Sequence, residues 1–369
     1  MCICKPTVVS LFAGLGGLDL GFQLAGFQVI WANELAENAA RSYEMNFGLR
    51  PCCGDITQIP DEAIPYADVI IGGPPCQSFS LVGQRRADDG RGKLVFRFRD
   101  IVLAKRPKAF VMENVPGLAA SKVAGKRLPE VLASDFAEAG YKVTIVKLLA
   151  TDYLAPQLRS RIFILGAKSK TVESPNPDVF ARECYGVNRT DFSISAAAAI
   201  GDLGAPVSKG KLAIYRCAPH SELSKILRMN NGERVSLHEM PRMSNLDTEF
   251  VKHIPPGGNY CNIPDDISTV RIMKFKASGG RTTTYGRLHS ERPSYTINTY
   301  FRRPNVGCNF HYADLRLITP REAMRFQCFP DHFQVLYGAQ DERNAYIGNA
   351  VPSLLGHAVA WTILHSLDG

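Results

Sequence analysis

A thiol, an acid and a short row of polar side chains carry the chemistry this sequence could perform. Cys76 stands in GGPPCQSFS (72–80), directly after the apolar run 67–71. A short apolar run closed by Gly-Gly-Pro-Pro reads as a buried strand that stops abruptly. The two prolines restrict φ just ahead of the cysteine, so the thiol is held by a stiff loop. A free thiol has a pKa of about 8.5, and nearby cations help populate the reactive thiolate. Glu113 follows a second apolar run, 109–112, so thiol and acid both come after strands. In open α/β sheets ligands and catalytic groups gather at the carboxyl ends of strands. Gln157, Arg159 and Arg161 alternate in QLRSRIF (157–163). In an extended chain that spacing turns one amide and two guanidiniums to one side. A salt-bridged edge strand would give the same row, and a lone free cysteine is more often a small buried hydrophobe. Each signal needs the others.

The elements that position them alternate between strand and helix. Residues 7–12 read as a buried strand running into the glycine turn 13–17, and 18–25 as the helix that follows. Strand, glycine turn and helix N-terminus together make a ligand cradle, because glycine lets the backbone approach closely. The nicotinamide fingerprint does not fit, since Asp19 stands where its third small residue belongs. The next strand, 27–32, leads to Glu34, placed about 20 residues past the turn to accept ribose hydroxyls. Asp55 follows a third strand-end region. Three such features in successive βα units favour an adenosine-type ligand. A helix at 98–105, the strand 109–112, a helix at 128–139 and strands at 142–149 and 162–166 complete the first half.

Composition limits the alternatives. The 369 residues allow a large domain and a second one, and 45% hydrophobic with 21% charged residues is ordinary for a globular chain. No apolar run approaches the roughly 20 residues needed to span a bilayer, and residues 1–6 lack the features of a secretory signal. No spacing among the ten cysteines resembles a metal site, so no metal is expected; they read as reduced thiols in a cytoplasm. Net charge is +8, and residues 81–110 hold nine basic against three acidic side chains, among them Arg85 and Arg86. Such a cluster beside a reactive loop suits a phosphate backbone, although a solvated basic face would look the same.

Beyond residue 170 the βα alternation is lost. Residues 171–310 carry 18 Lys and Arg against 13 Asp and Glu and are rich in Pro, Gly, Ser and Asn. They read as a second, irregular, mildly basic domain. Order returns where Thr319 precedes Pro320, with Glu322 in the first turn of a helix. The chain closes with GNAVP (348–352) and an apolar helix to 364.

Taken together, SLFAGLGGLDLGF (10–22), GGPPCQSFS (72–80), ENV (113–115), QLRSRIF (157–163), RLITPREAMRFQCFP (316–330) and GNAVP (348–352) resemble, in order, the conserved blocks of the DNA (cytosine-5) methyltransferases, particularly prokaryotic modification enzymes. YGRLHSERPSYTINT (285–299) is similar to the lead-in to the late block. The resemblance implies an α/β, Rossmann-like S-adenosylmethionine-dependent domain over 1–170 plus 335–369. It implies a smaller, irregular, mostly β target-recognition domain with its hinge over 171–334. Phe12, Gly14, Gly16, Gly17, Glu34, Asp55, Ile56, Pro75, Asn349 and Val351 would bind S-adenosylmethionine. Cys76 would be the nucleophile, Glu113 the acid at the cytosine ring, and Arg159 and Arg161 the ring-side cations. Gln77, Ser78, Ser80, Arg85, Arg86 and Gln157 would meet double-stranded DNA.

On this reading Cys76 adds to carbon 6 of a cytosine flipped out of the duplex, so that carbon 5 can accept a methyl group. The expected setting is a cytoplasmic monomer acting on DNA, with a cognate restriction endonuclease sharing its site without a stable complex. Three rivals remain: a transfer RNA cytosine methyltransferase of the same fold, a non-catalytic DNA-binding regulator, and a nicotinamide oxidoreductase. The Ser and Phe of 78–79 and the long variable region favour DNA over transfer RNA, and the full set of reactive side chains disfavours a pure binder.

Overall fold

Apolar runs broken by glycine turns become the strands of a seven-stranded sheet. The computed structural model describes residues 5–75, 93–123, 125–229 and 231–367. The chain divides into two units: Met1–Tyr153 with Ser160–Gly186 and Ser353–Gly369, and Leu154–Arg159 with Val187–Pro352.

In the first unit β1 (Thr7–Leu11), β2 (Gln28–Glu34), β3 (Cys52–Cys53), β4 (Val69–Gly72) and β5 (Ala109–Asn114) are parallel, in the order β3-β2-β1-β4-β5. The strand Ser160–Ala167 lies antiparallel beside β5, and Lys142–Leu149 pairs antiparallel with it at the edge. Every residue of β4 and β5 is buried, which is why both read as unbroken apolar runs rather than alternating ones. Helices α1 (Gly17–Leu24), α2 (Glu37–Phe47), α3 (Lys93–Lys105), α4 (Leu128–Glu138) and α5 (Pro177–Tyr185) belong to this unit. Phe98, Ile101 and Val102 of α3 and Leu132 and Phe136 of α4 share a core with Ile70, Phe110, Met112 and Ile164 of the sheet. Each such side chain contributes about 1.5–3 kcal/mol by its burial. The C-terminal helix Ser353–Leu367 is mostly buried and packs along α1.

The second unit departs from the mostly β expectation. Its described helices are α6 (Ala196–Ile200), α7 (Glu222–Arg228), α8 (Asn245–His253), α9 (Val270–Ser278), α10 (Pro320–Phe326) and α11 (Gln340–Asn349). Its described strands are only two or three residues long. Much of its order comes from buried ion pairs. Arg325, fully buried, bonds to Asp202 at 2.5 Å and to both oxygens of Asp331 at 2.9 and 2.6 Å. Arg316 grips Glu322 through two bonds of 2.9 and 2.8 Å. Thr319 and Glu322 close the capping box that starts α10.

Candidate active site

Parallel strands in register bring their ends to one edge. Leu11 pairs with Gly72, and Gly72 with Met112, so the residues that follow, Phe12, Gly73 and Glu113, fall in one row across β1, β4 and β5. Ser10 pairs with Ala32, so the same row continues to Glu34 on β2. Four of the residues or neighbours singled out by sequence therefore share the carboxyl edge of the sheet.

Glu113 faces Phe163 across the antiparallel pair, and Arg161 lies two residues from Phe163 on the same side. Period-two alternation makes Glu113 and Arg161 diagonal neighbours on one face. Arg161 Nε donates to Glu113 Oε1 at 2.6 Å, and each residue keeps 9% of its surface exposed. Burial pulls the Arg161 guanidinium below its ordinary pKa, while the Glu113 carboxylate holds it up. A Cβ at Gly73 would lie 2.8 Å from Glu113 Oε2, so any other residue here would make the carboxylate shift. Asn114 completes the junction: its Nδ2 donates to Pro74 O at 3.0 Å, tying the end of β5 to the proline loop. Sequence reasoning takes Asn114 only as part of a block and gives Gly73 no side-chain partner. Exposed Pro75 is the last described residue of that loop. Cys76, Gln77, Ser78, Ser80, Arg85 and Arg86 lie outside the described residues.

The glycine turn is built around positive φ. Phe12, Gly14 and Gly16 take φ of 57°, 57° and 81°. Gly16 is the N-cap of α1 and Gly17 its first residue, with no side chain capping that end. Glu34 braces the turn, accepting Gly14 N–H through Oε2 at 2.8 Å and Ala36 N–H through Oε1 at 2.9 Å. A carboxylate has about four acceptor sites, so ribose hydroxyls can still be received. Exposed Asp55 accepts Thr57 N–H at 2.9 Å, a bond that lowers its pKa, and Ile56 beside it is buried.

The alternating row is split by its partners. Arg161 meets Glu113 in the first unit, while Gln157 and Arg159 belong to the second. Expected at DNA, Gln157 is instead fully buried. Its amide donates to Phe326 O and Gln327 Oε1 at 2.9 and 3.0 Å and accepts Ile297 N–H at 2.9 Å. That amide is committed to the protein. Arg159, 2% exposed, directs Nη1 to Ile297 O and Nη2 to Gly348 O, both at 2.9 Å, and reaches Asn349 O at 3.3 Å. Within the second unit Asn349 ends α11 and is exposed, and Val351 is 8% exposed.

The family model for C-5 cytosine-specific DNA methylases matches residues 6–365. The chain belongs to the C-5 cytosine-specific DNA methylase family. Among this methylase's relatives, Type II methyltransferase M.NgoFVII of Neisseria gonorrhoeae is 33% identical over 352 residues, 94% of this chain and 83% of the relative. Type II methyltransferase M.AgeI of Thalassovita gelatinovora is 31% identical over 427 residues, 96% of this chain and 98% of the relative. A prophage-encoded Escherichia coli protein described as a DNA modification methyltransferase superposes with a TM-score of 0.70 at 24% identity, covering 99% of this chain and all of that one, and so shares the fold.

Methylases of this family take their methyl group from S-adenosylmethionine. The first unit's residues fit it. At Gly14 no atom of the described residues beyond its chain neighbours lies within 4 Å of where a Cβ would stand, so the turn can receive a ligand closely. The N-terminus of α1, whose N-cap Gly16 supplies no side-chain acceptor, suits the donor's carboxylate, and Glu34 and Asp55 offer acceptors for its hydroxyl and amino groups.

Proposed function

We propose that this DNA methylase transfers the methyl group to carbon 5 of a cytosine swung out of a specific duplex sequence, through a covalent adduct with Cys76. A base stacked in the duplex is out of reach of a strand-end site, so extrusion is required. S-adenosylmethionine would supply an electrophilic methyl group, the methyl–sulfur bond breaking with its electron pair left on sulfur, so that the rest of the donor departs as a neutral thioether. The Cys76 thiolate forms a bond to carbon 6, and Glu113 holds a proton at ring nitrogen 3, where the displaced electron pair collects. Carbon 5 thereby becomes the nucleophile that takes the methyl. Arg161 keeps Glu113 oriented and offers a cation to the ring oxygen. After transfer a base, water among the candidates, removes the carbon 5 proton and the Cys76–carbon 6 bond breaks. Arg159 supports the reaction indirectly, by holding the 297 and 348–349 backbone.

The observation that carries this reading is the Arg161–Glu113 ion pair, one strand from the Gly73–Pro74 loop that leads to Cys76. Phe12, Gly14, Gly16, Gly17, Glu34, Asp55, Ile56 and Pro75 are the proposed donor contacts in the first unit. Gln77, Ser78, Ser80, Arg85 and Arg86 are proposed to grip the DNA, and the second unit to choose its sequence. The relatives are named as Type II methyltransferases; on that likeness the enzyme is read as a monomer working on cytoplasmic DNA, shielding it from a cognate restriction endonuclease. Incubation with labelled S-adenosylmethionine and either duplex DNA or transfer RNA tests the substrate. Label entering DNA as 5-methylcytosine is expected; label entering transfer RNA alone would reject the proposal.

A further inference from the structure

Beneath the glycine turn lies a buried carboxylate that the proposed chemistry does not use. Asp19 sits in the first turn of α1 and is 1% exposed. Its Oδ1 accepts the Tyr43 hydroxyl at 2.8 Å, and the Ser10 side chain also bonds to its carboxylate. Three elements meet at this group: Ser10 from β1, Asp19 from α1 and Tyr43 from α2. The Tyr43 ring is fully buried and stacks on Phe47 with centroids 4.2 Å apart. Both rings press on Gly16: a Cβ there would come within 2.9 Å of Tyr43 Cε2 and nearer still to Phe47. The two rings thus pack directly against the left-handed N-cap of α1.

Keeping this carboxylate is costly. Burial raises the Asp19 carboxyl from 3.8 to about 6 and pushes the Tyr43 phenol well above its ordinary range. An apolar pair of similar volume would fill the same space without that penalty. What hydrogen bonding adds is a fixed angle between α1 and α2. That angle matters because Glu34 is tied to both sides, to Gly14 in the turn and to Ala36 at the entry of α2.

We propose that the Asp19–Tyr43 hydrogen bond is a positioning device for the methyl donor. It locks α2 to α1, so that the Tyr43 and Phe47 rings set Gly16 while Glu34 keeps its bridging geometry. The inference rests on placing S-adenosylmethionine at the 12–17 turn. It concerns residues that touch the turn rather than the donor.

Calorimetry of S-adenosylmethionine binding to the full chain, with melting curves of the same samples, provides the test. Tyr43→Phe keeps the stacked ring and removes only the hydroxyl; Asp19→Leu removes the acceptor. Each is expected to raise the donor Kd about tenfold, the scale of one buried hydrogen bond, and the double variant by no more than either alone. Asp19→Asn keeps an oxygen for Tyr43 and should bind within about threefold of wild type, a rescue that loss of packing does not predict. If Asp19→Leu does not fold, Tyr43→Phe decides. A Tyr43→Phe chain that melts lower but binds the donor within about twofold of wild type would overturn the inference. A wild-type chain that binds no donor would overturn the donor-site reading itself, and the inference with it.

Discussion

Arginine–carboxylate pairs appear in both units, and they are built differently. In the second unit Arg325 is saturated: Asp202, Asp331 and the Ala199 carbonyl take its donors, and all three charged groups are fully or almost fully buried. In the first unit Arg161 meets Glu113 at 2.6 Å where β5 ends, donates to Ser160 O at 2.8 Å, and both side chains keep some surface. A saturated pair can only hold its neighbours. A pair at an open edge can turn one partner towards a substrate. Arg159, two residues before Arg161, falls on the buried side of this comparison, with backbone carbonyls on both of its Nη groups.

Breaking the comparison at its buried end should cost most. Arg325→Ala takes the main cation from two buried carboxylates, leaving Asp202 with Arg228 and Asp331 with the more distant Arg321, and is expected to destabilise by about 3–5 kcal/mol, read by urea denaturation. At the open end the effect should move from stability to turnover. Glu113→Gln is expected to lower kcat on the order of 10²–10⁴-fold, with a melting temperature close to wild type. Equal losses of stability and rate would make the pair structural. Arg159→Ala should resemble Arg325→Ala in kind and be smaller, about 2–3 kcal/mol, because neutral carbonyls rather than carboxylates lose their donor.

A further effect concerns pH and separates the units by sign. Asp331 and Glu322 are held below the ordinary carboxylate range against burial, chiefly by Arg325 and Arg316 respectively. Their contribution is full above about pH 5 and is lost progressively as the pH falls from there through their lowered folded-state values. Asp19 is the reverse case, raised to about 6. Its folded form holds the proton more tightly, so its contribution is full below about pH 4 and disappears as the pH rises to about 6. Asp19→Asn should therefore stabilise at pH 7, by about 3 kcal/mol at most at about 1.36 kcal/mol per pKa unit, and the gain should vanish near pH 4. A gain independent of pH would contradict that account.

Much of the first unit is legible in sequence, because its strands are short apolar runs ending in glycine or an acid. The strand expected at 142–149 is found as Lys142–Leu149, and Thr319 caps α10 with Glu322 as its spacing predicts. The second unit is not legible in this way. Strands of two or three residues carry no period-two signal, and its order rests on charged pairs far apart in sequence, such as Arg325 with Asp202, 123 residues away. The same distance hides the task of Arg159, whose partners Ile297 and Gly348 lie 138 and 189 residues on. Asp19 shows a subtler limit. In sequence it serves only to exclude a nicotinamide fingerprint; Tyr43, 24 residues later, gives it a partner only once α1 and α2 are folded.

The central claim, methylation of cytosine at carbon 5 through Cys76, is tested most directly by bisulfite sequencing of DNA from a host expressing the wild-type chain or Cys76→Ala. The account predicts protected cytosines at one recurring position of a short sequence with wild type, and none with Cys76→Ala. Protection that persists in Cys76→Ala would contradict it.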